Sequence, residues 1–333
     1  MATLATCFQD ALSTIEPDED KKNAAKAHAE VRDVLSAKQE LKDLGISPVL
    51  IGSYARHVSI RHVKDVDVFA RLENADDSLA PGAALDAFEE VLVDEYTEDR
   101  VERQFRSIKV DFPEFDLTVD AVPARPCGDN WEIPNKPEDA QRAQWVETNP
   151  LKLNELTEEV NGKFLLNGNG IYVPIVKLVR QVRRTWLDDQ PGGLFFELMS
   201  YWYFQNDQPS ATSVAEYLTM TLEGIATMLP TVASDGLDDP TLPGEKISTK
   251  ADDKDLETAQ EKFREAADLA AAALADDDPC TSAVKWRELL GKTSDCEDIF
   301  PLPSYCNDDG TRKKAAAITS GATTVPAGDD RYA

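Results

Sequence analysis

The chain has 333 residues, with 35 Lys and Arg against 62 Asp and Glu, for a formal charge of −27. A field of that sign repels duplex nucleic acid and anionic membranes, so a polyanionic ligand must be met locally, by a few clustered bases or by metal ions. At 42% hydrophobic residues the chain supports packed cores rather than disorder, and its length suits two domains.

No apolar run approaches a membrane span, so no membrane partner is expected. The opening MATLATCFQDALSTIEPDEDKK lacks the basic-then-apolar order of a secretory signal. The five cysteines form no CxxC, and the histidines His28, His57 and His62 make no zinc spacing with them. The expectation is a reduced cytoplasmic setting, with Cys280, Cys296 and Cys306 chemically idle.

Residues 22–45 place Ala25, Val31, Val34, Leu35 and Leu41 near helical spacing and stop at Gly45, which predicts one long helix. A short apolar strand follows Ser47-Pro48 and ends at Gly52. DVDVFARL (65–72) alternates as a half-buried strand, and 83–97 reads as a helix. Two more strands are expected at Phe105–Val110 and Phe115–Val122, the second with Asp116, Thr118 and Asp120 on one side. Pro126, Pro134, Pro137 and Pro150 punctuate a connecting stretch. Helices are then expected near 151–160, 174–187, 193–205, 212–228, 254–275 and 281–290, with a loop over 234–253. The expected organisation is a core with its N-terminal helix (1–150), a helical substrate-binding domain (151–306) and a disordered tail (307–333).

Three pieces carry chemistry together: Gly52-Ser53 at a strand end, Asp65-Val66-Asp67 after eleven intervening residues, and Asp120 in a second strand. Strand alternation points Asp65 and Asp67 to one side. If the strand of Asp120 lies alongside, three carboxylates converge, and they should not all ionise without a cation. Magnesium suits such a site, as a hard ion taking carboxylate and phosphate oxygens, and two ions can clamp an in-line phosphoryl displacement. A Gly-Ser turn lets backbone N–H groups and a hydroxyl approach phosphate oxygens.

The pattern GSYARHVSIRHVKDVDVFARL with a downstream FDLTVDAVPA resembles the nucleotidyltransferase core of DNA polymerase beta and its relatives. Within that superfamily it is most similar to the bacterial cGAS/DncV-like nucleotidyltransferases (CD-NTases) and the oligoadenylate synthases. Trp131-Glu132-Ile133-Pro134, Trp145 with Thr148-Asn149-Pro150, Asn161 and Pro174-Ile175-Val176-Lys177-Leu178 follow the same order, and the likeness extends over roughly residues 20–300. It implies an α+β, bilobal nucleotidyltransferase fold, with a mixed sheet, a long N-terminal helix and a C-terminal helical lobe.

The resemblance further implies catalytic and metal-binding roles for Asp65, Asp67 and Asp120, with two Mg2+ (or Mn2+) ions. It implies nucleotide contacts from Gly52, Ser53 and Lys177. The product would be a cyclic di- or trinucleotide second messenger made from NTPs, ATP among them, with release of pyrophosphate. A separate effector protein would read that messenger in CBASS anti-phage defence. In some such systems a conjugation machinery joins the enzyme's C-terminus to other proteins, which here would act on Ala333. The cysteine–histidine zinc insertion of the animal DNA sensor is missing, so no DNA activator is expected.

Local charge agrees with this map. IYVPIVKLVRQVRRTWL holds Lys177, Arg180, Arg183 and Arg184 and no acid, and Lys177, Arg180 and Arg184 share a helix face. Arg56, Arg61 and Lys64 add positive charge near the motif. Arg180 is a candidate nucleotide contact, as are Tyr54, by stacking, and Ser200, in a base pocket. Gly291-Lys292-Thr293 is no P-loop, because Trp286 stands where the first glycine is needed. Two other functions remain open at this point: a linear-oligonucleotide or RNA-tailing transferase, and a catalytically silent nucleotide-binding module.

Overall fold

The computed structural model describes residues 3–137, 139, 144–247 and 249–314. Residues 5–55 form helices α1 (Ala5–Ile15), α2 (Asp18–Ala37) and α3 (Gln39–Asp43), strand β1 (Ile46–Ile51) and the helical turn α4 (Gly52–Ala55). Strand β2 (Asp65–Leu72), helix α5 (Pro81–Tyr96), and strands β3 (Val101–Arg103), β4 (Ile108–Phe112) and β5 (Leu117–Cys127) follow. Strands β6 (Asn130–Pro134) and β7 (Trp145–Thr148) complete a seven-stranded mixed sheet of order β1-β2-β5-β4-β3, with β6 paired to β5 and to β7. Helix α6 (Pro150–Lys163) leads through the small hairpin β8 (Leu165–Leu166) and β9 (Asn169–Gly170). The helical lobe continues with α7 (Tyr172–Trp186), α8 (Gly193–Asp207), α9 (Val214–Asp235), α10 (Asp253–Ala275) and α11 (Pro279–Leu290).

Alternation in two strands sets the layers. Val66, Val68, Ala70 and Leu72 of β2, with Leu117, Val119 and Ala121 of β5, point into a buried core beneath α2 and α5. The opposite face of those strands is thereby left to Asp65, Asp67, Thr118 and Asp120. A second core is built from α7 to α11, where Phe196 stacks on Phe263 with ring centroids 4.1 Å apart. The helices start where the side chains supply caps: Asn149 before Pro150, Ser213 before α9, Asp252 with Asp255 as a capping box, and Asp278 before Pro279.

Several expectations change. The single helix over 22–45 starts earlier and breaks at Lys38 into α2 and α3. Helix α1 was not foreseen, and it packs with the helical lobe: Phe8 lies 5.0 Å from Trp286 and 5.0 Å from Phe300, ring to ring. The strand expected over Phe105–Val110 is a hairpin instead, whose turn exposes Phe105. The connecting stretch after Pro126 contains β6 and β7.

Cys280 and Cys306 form a disulfide, which corrects their reading as idle; Cys7, Cys127 and Cys296 are free. The segment after Cys306 is also structured at its start. Thr311 and Asn307 close a turn, Cys306 bridges to Arg312, and Arg312 pairs with Asp278, so residues 307–314 are not a disordered tail. The rest of the expected tail, with Ala333, lies outside the described residues. Among the described residues no helix is long and apolar enough to cross a membrane.

Candidate active site

Strands β2 and β5 run parallel with Asp67 directly opposite Asp120 and Asp65 opposite Thr118. The three aspartates therefore share the face turned away from α2. Ile51 of β1 lies opposite Asp67 on the other side, which brings the turn at Gly52 against the same carboxylate. A Cβ built on Gly52 would stand 2.1 Å from Asp67 Oδ2, and its φ of +78° is one that glycine adopts without strain. Glycine at 52 is thus required twice over.

The carboxylates are not neutralised by neighbours. Burial, then the charges of Asp65 and Asp120, push the Asp67 carboxyl up to about 7. Asp120 is also raised, by burial first and by Asp65, against a lowering contact from Ser107, whose hydroxyl lies 3.2 Å from Asp120 Oδ1. Lys109 stands opposite Asp120 in the register but pairs with Glu102. Among the described residues no three His, Cys, Asp or Glu side chains are gathered tightly enough to enclose a metal ion. The aspartates share a face without closing on a common point, as mutually repelling groups do. Their hard oxygen donors, and the raised carboxyls of Asp67 and Asp120, suit a divalent cation that would offset the repulsion.

Gly52 and Ser53 adjoin this face. Ser53 is fixed by its own turn: its carbonyl accepts from Val58 and Ser59, and the Ser59 hydroxyl lies 3.2 Å from its Oγ. Lys177 is nearly buried and paired with Glu16, which also holds Lys21 at 2.7 Å, so its ammonium is tied to the α1–α2 corner.

Arg180 is drawn to Glu197 at 3.5 Å, over Gly193, where a Cβ would come within 2.8 Å of its guanidinium carbon. Tyr54 is half-buried beside the turn. Its hydroxyl donates to the Lys21 carbonyl at 3.0 Å and its ring packs near His28, so it braces α2. Ser200 is a correction: it is fully buried in α8 and its hydroxyl is spent on the Phe196 carbonyl at 2.8 Å, as core serines on helices do.

Arg56 and Glu197 form a contact that sequence reasoning missed. Two bonds of 2.6 and 3.2 Å join them, with side chains 4% and 1% exposed. Arg56 leaves the Gly52 turn and Glu197 lies on α8, so this pair ties the two lobes together behind the aspartates. A signal was present: Glu197 is the lone acid in GLFFELMSYWYF, and a carboxylate in so apolar a helix needs a partner.

The chain resembles known proteins over most of its length. Residues 1–161 match the Second Messenger Oligonucleotide or Dinucleotide Synthetase domain. A cyclic AMP-AMP-AMP synthase from an Acinetobacter strain is 31% identical over 299 residues, spanning 85% of this chain and 83% of that protein. A cyclic AMP-AMP-GMP synthase from Enterobacter hormaechei is 25% identical over 357 residues, spanning 89% and 91%. Among solved structures, Escherichia coli CdnC with ATP superposes with a TM-score of 0.68 at 15% identity, covering 90% of this chain and all of that one.

Proposed function

Because the chain belongs to the CD-NTases, the nucleotidyltransferases that make cyclic oligonucleotide second messengers from NTPs, we propose that Asp65, Asp67 and Asp120 are its catalytic carboxylates and that ATP is its principal substrate. The observation that carries the site is the packing of Gly52 on Asp67 with Asp120 in direct register. It sets a tight turn suited to phosphates against a face of carboxylates. The choice of ATP rests on the two relatives above, whose named products are adenine-containing cyclic trinucleotides.

In this reading Asp65, Asp67 and Asp120 would hold two magnesium ions. Bound there, the ions supply charge neutralisation for the triphosphate and for the oxygens of an in-line displacement. Gly52 leaves open the space into which the donor phosphates settle, and Ser53 offers them its hydroxyl. Asp120, held by Ser107, orients the acceptor hydroxyl and takes its proton. Lys177 reaches the phosphates by releasing Glu16, and Arg180 contributes positive charge from α7. The Arg56–Glu197 pair keeps the turn and the helical lobe in fixed relation. A separate effector protein receives the cyclic product.

Incubation with the four NTPs and magnesium tests this. A phosphatase-resistant product whose mass is that of a cyclic trinucleotide containing adenine, formed by the wild type and lost in Asp65→Ala and Asp67→Ala, is the expected result. A product formed equally by those variants overturns the site assignment.

A further inference from the structure

Outside the aspartate face lies a cavity of about 500 Å3 whose walls run against the charge of the whole chain. Arg61 and Lys64 from the loop before β2, Arg184 from α7 and Lys292 from the segment after α11 line it, against the single carboxylate of Asp116. In a protein with 62 acids to 35 bases this sign is anomalous. The size falls in the range of small-molecule sites, ~300–1,000 Å3. None of Gly52, Ser53, Asp65, Asp67, Asp120 or Arg180 lines it.

The cations are largely uncommitted. Lys292 pairs with Asp298 at 2.7 Å, but the ion pairs of the described residues leave Arg61, Lys64 and Arg184 without a carboxylate. Burial and the repulsion of Arg180 and Arg183 lower the Arg184 guanidinium from its usual range. Like charges held together without a counter-charge cost free energy, which a bound anion would offset.

The loop carrying them is also held in place. The Arg61 N–H donates to the Ile15 carbonyl at 2.8 Å and its carbonyl accepts from Arg184 at 2.9 Å. The Asp20 carboxylate accepts from the N–H groups of His62 and Val63 at 2.7 and 3.3 Å. Thr14, Thr293 and Ser294 complete the lining; the Thr14 hydroxyl donates to the Asp10 carbonyl, Ser294 meets His62, and the Thr293 hydroxyl accepts from the Glu297 N–H.

We propose that this cavity is a second anion site that binds a small polyphosphate, free or as the tail of a nucleotide. Guanidinium and ammonium groups gathered from three segments of the chain match phosphate oxygens. The loop over 56–64 joins the Gly52 turn to Asp65, so occupancy stiffens the connection between the two halves of the aspartate site.

The test is calorimetric titration of the full chain with inorganic tripolyphosphate in EDTA at low salt, where the metal-free aspartates repel anions from their own face. One-to-one binding is expected, weakening with added sodium chloride. Arg61→Gln with Lys64→Gln should weaken it at least tenfold. Lys292→Gln, at an exposed side chain, should weaken it several-fold and serves if the double variant does not fold. Ser53→Ala should leave it unchanged. ATP tighter than tripolyphosphate assigns the pocket to a nucleotide, and equal affinity assigns it to the free polyphosphate; either result bears the proposal out.

No binding by the wild type overturns it. So does binding unaffected by the pocket variants, weakened by Ser53→Ala, or matched by adenosine. These outcomes are read without turnover, so they stand apart from the product assay above.

Discussion

Two clusters of charge lie on either side of the Gly52 turn, and they are built on opposite rules. On one side Asp65, Asp67 and Asp120 crowd like charges onto one sheet face, with Asp67 raised to about 7. On the other, Arg56, Glu197 and Arg180 bury opposite charges in mutual contact, with Arg56 and Glu197 joined by two bonds. Within the second cluster the Arg56–Glu197 pair is satisfied as it stands and braces. The first is unsatisfied as it stands, which is the mark of a group that awaits a ligand. Residual frustration, more than charge itself, separates the candidate site from the scaffold.

The largest effect should come from breaking the brace. Glu197→Ala leaves Arg56 buried without a counter-charge, and loss of one partner of a buried pair costs ~3–5 kcal/mol. Urea unfolding should show a loss of that size, and Arg56→Met with Glu197→Leu should recover most of it. If the single variant is as stable as the wild type, the pair is not the brace described here.

The aspartate face should respond the opposite way. The folded protein holds the Asp67 proton up to pH ~7, whereas the unfolded chain releases it near pH 4, so without metal this group's contribution is lost as pH rises from 4 to 7. The whole swing is ~4 kcal/mol. Asp67→Asn should flatten that dependence and raise the metal-free melting temperature at pH 8, while abolishing product. Magnesium should stabilise the wild type at pH 8 and not the variant.

Gly52→Ala should hurt both sides of the comparison at once. Its Cβ meets Asp67 at 2.1 Å, and the positive φ alone costs ~1–2 kcal/mol in a residue other than glycine. The expected result is a lowered melting temperature together with a fall in turnover, measured on the same preparation.

A stability effect without a turnover effect belongs to the helical lobe. Cys280 and Cys306 close 26 residues of chain, for which loop entropy gives ~3.5 kcal/mol as an upper figure. Cys306→Ser should lower stability by that much or less in oxidising buffer, and by nothing once the wild type is reduced, with product formation unchanged in both.

Much of the site was legible before any tertiary contact was known. The alternation in DVDVFARL requires Asp65 and Asp67 on one face whatever they pack against, and Leu117, Val119 and Ala121 similarly turn Asp120 outward. Lys177 and Arg180 were placed on the correct helix, but their partners were not visible. Glu16 and Glu197 lie 161 and 17 residues away in sequence, and no local pattern ties them together. Tyr54 and Ser200 were assigned by residue type, and the fold engages the hydroxyls of both with backbone carbonyls.

The sequence by itself determined the periodicities, and with them the sheet face, the Gly52-Ser53 turn and most of the helices, because these depend on bond geometry and on neighbours a few residues apart. Tertiary structure alone decided that β2 and β5 pair in the register that sets Asp67 against Asp120, that Arg56 reaches Glu197, and that α1 joins the helical lobe. The same holds for the charge of −27, which describes the field at a distance and says nothing of where four cations meet around one cavity. Those outcomes depend on which distant segments bury each other's surface, and that is settled only when the whole chain packs.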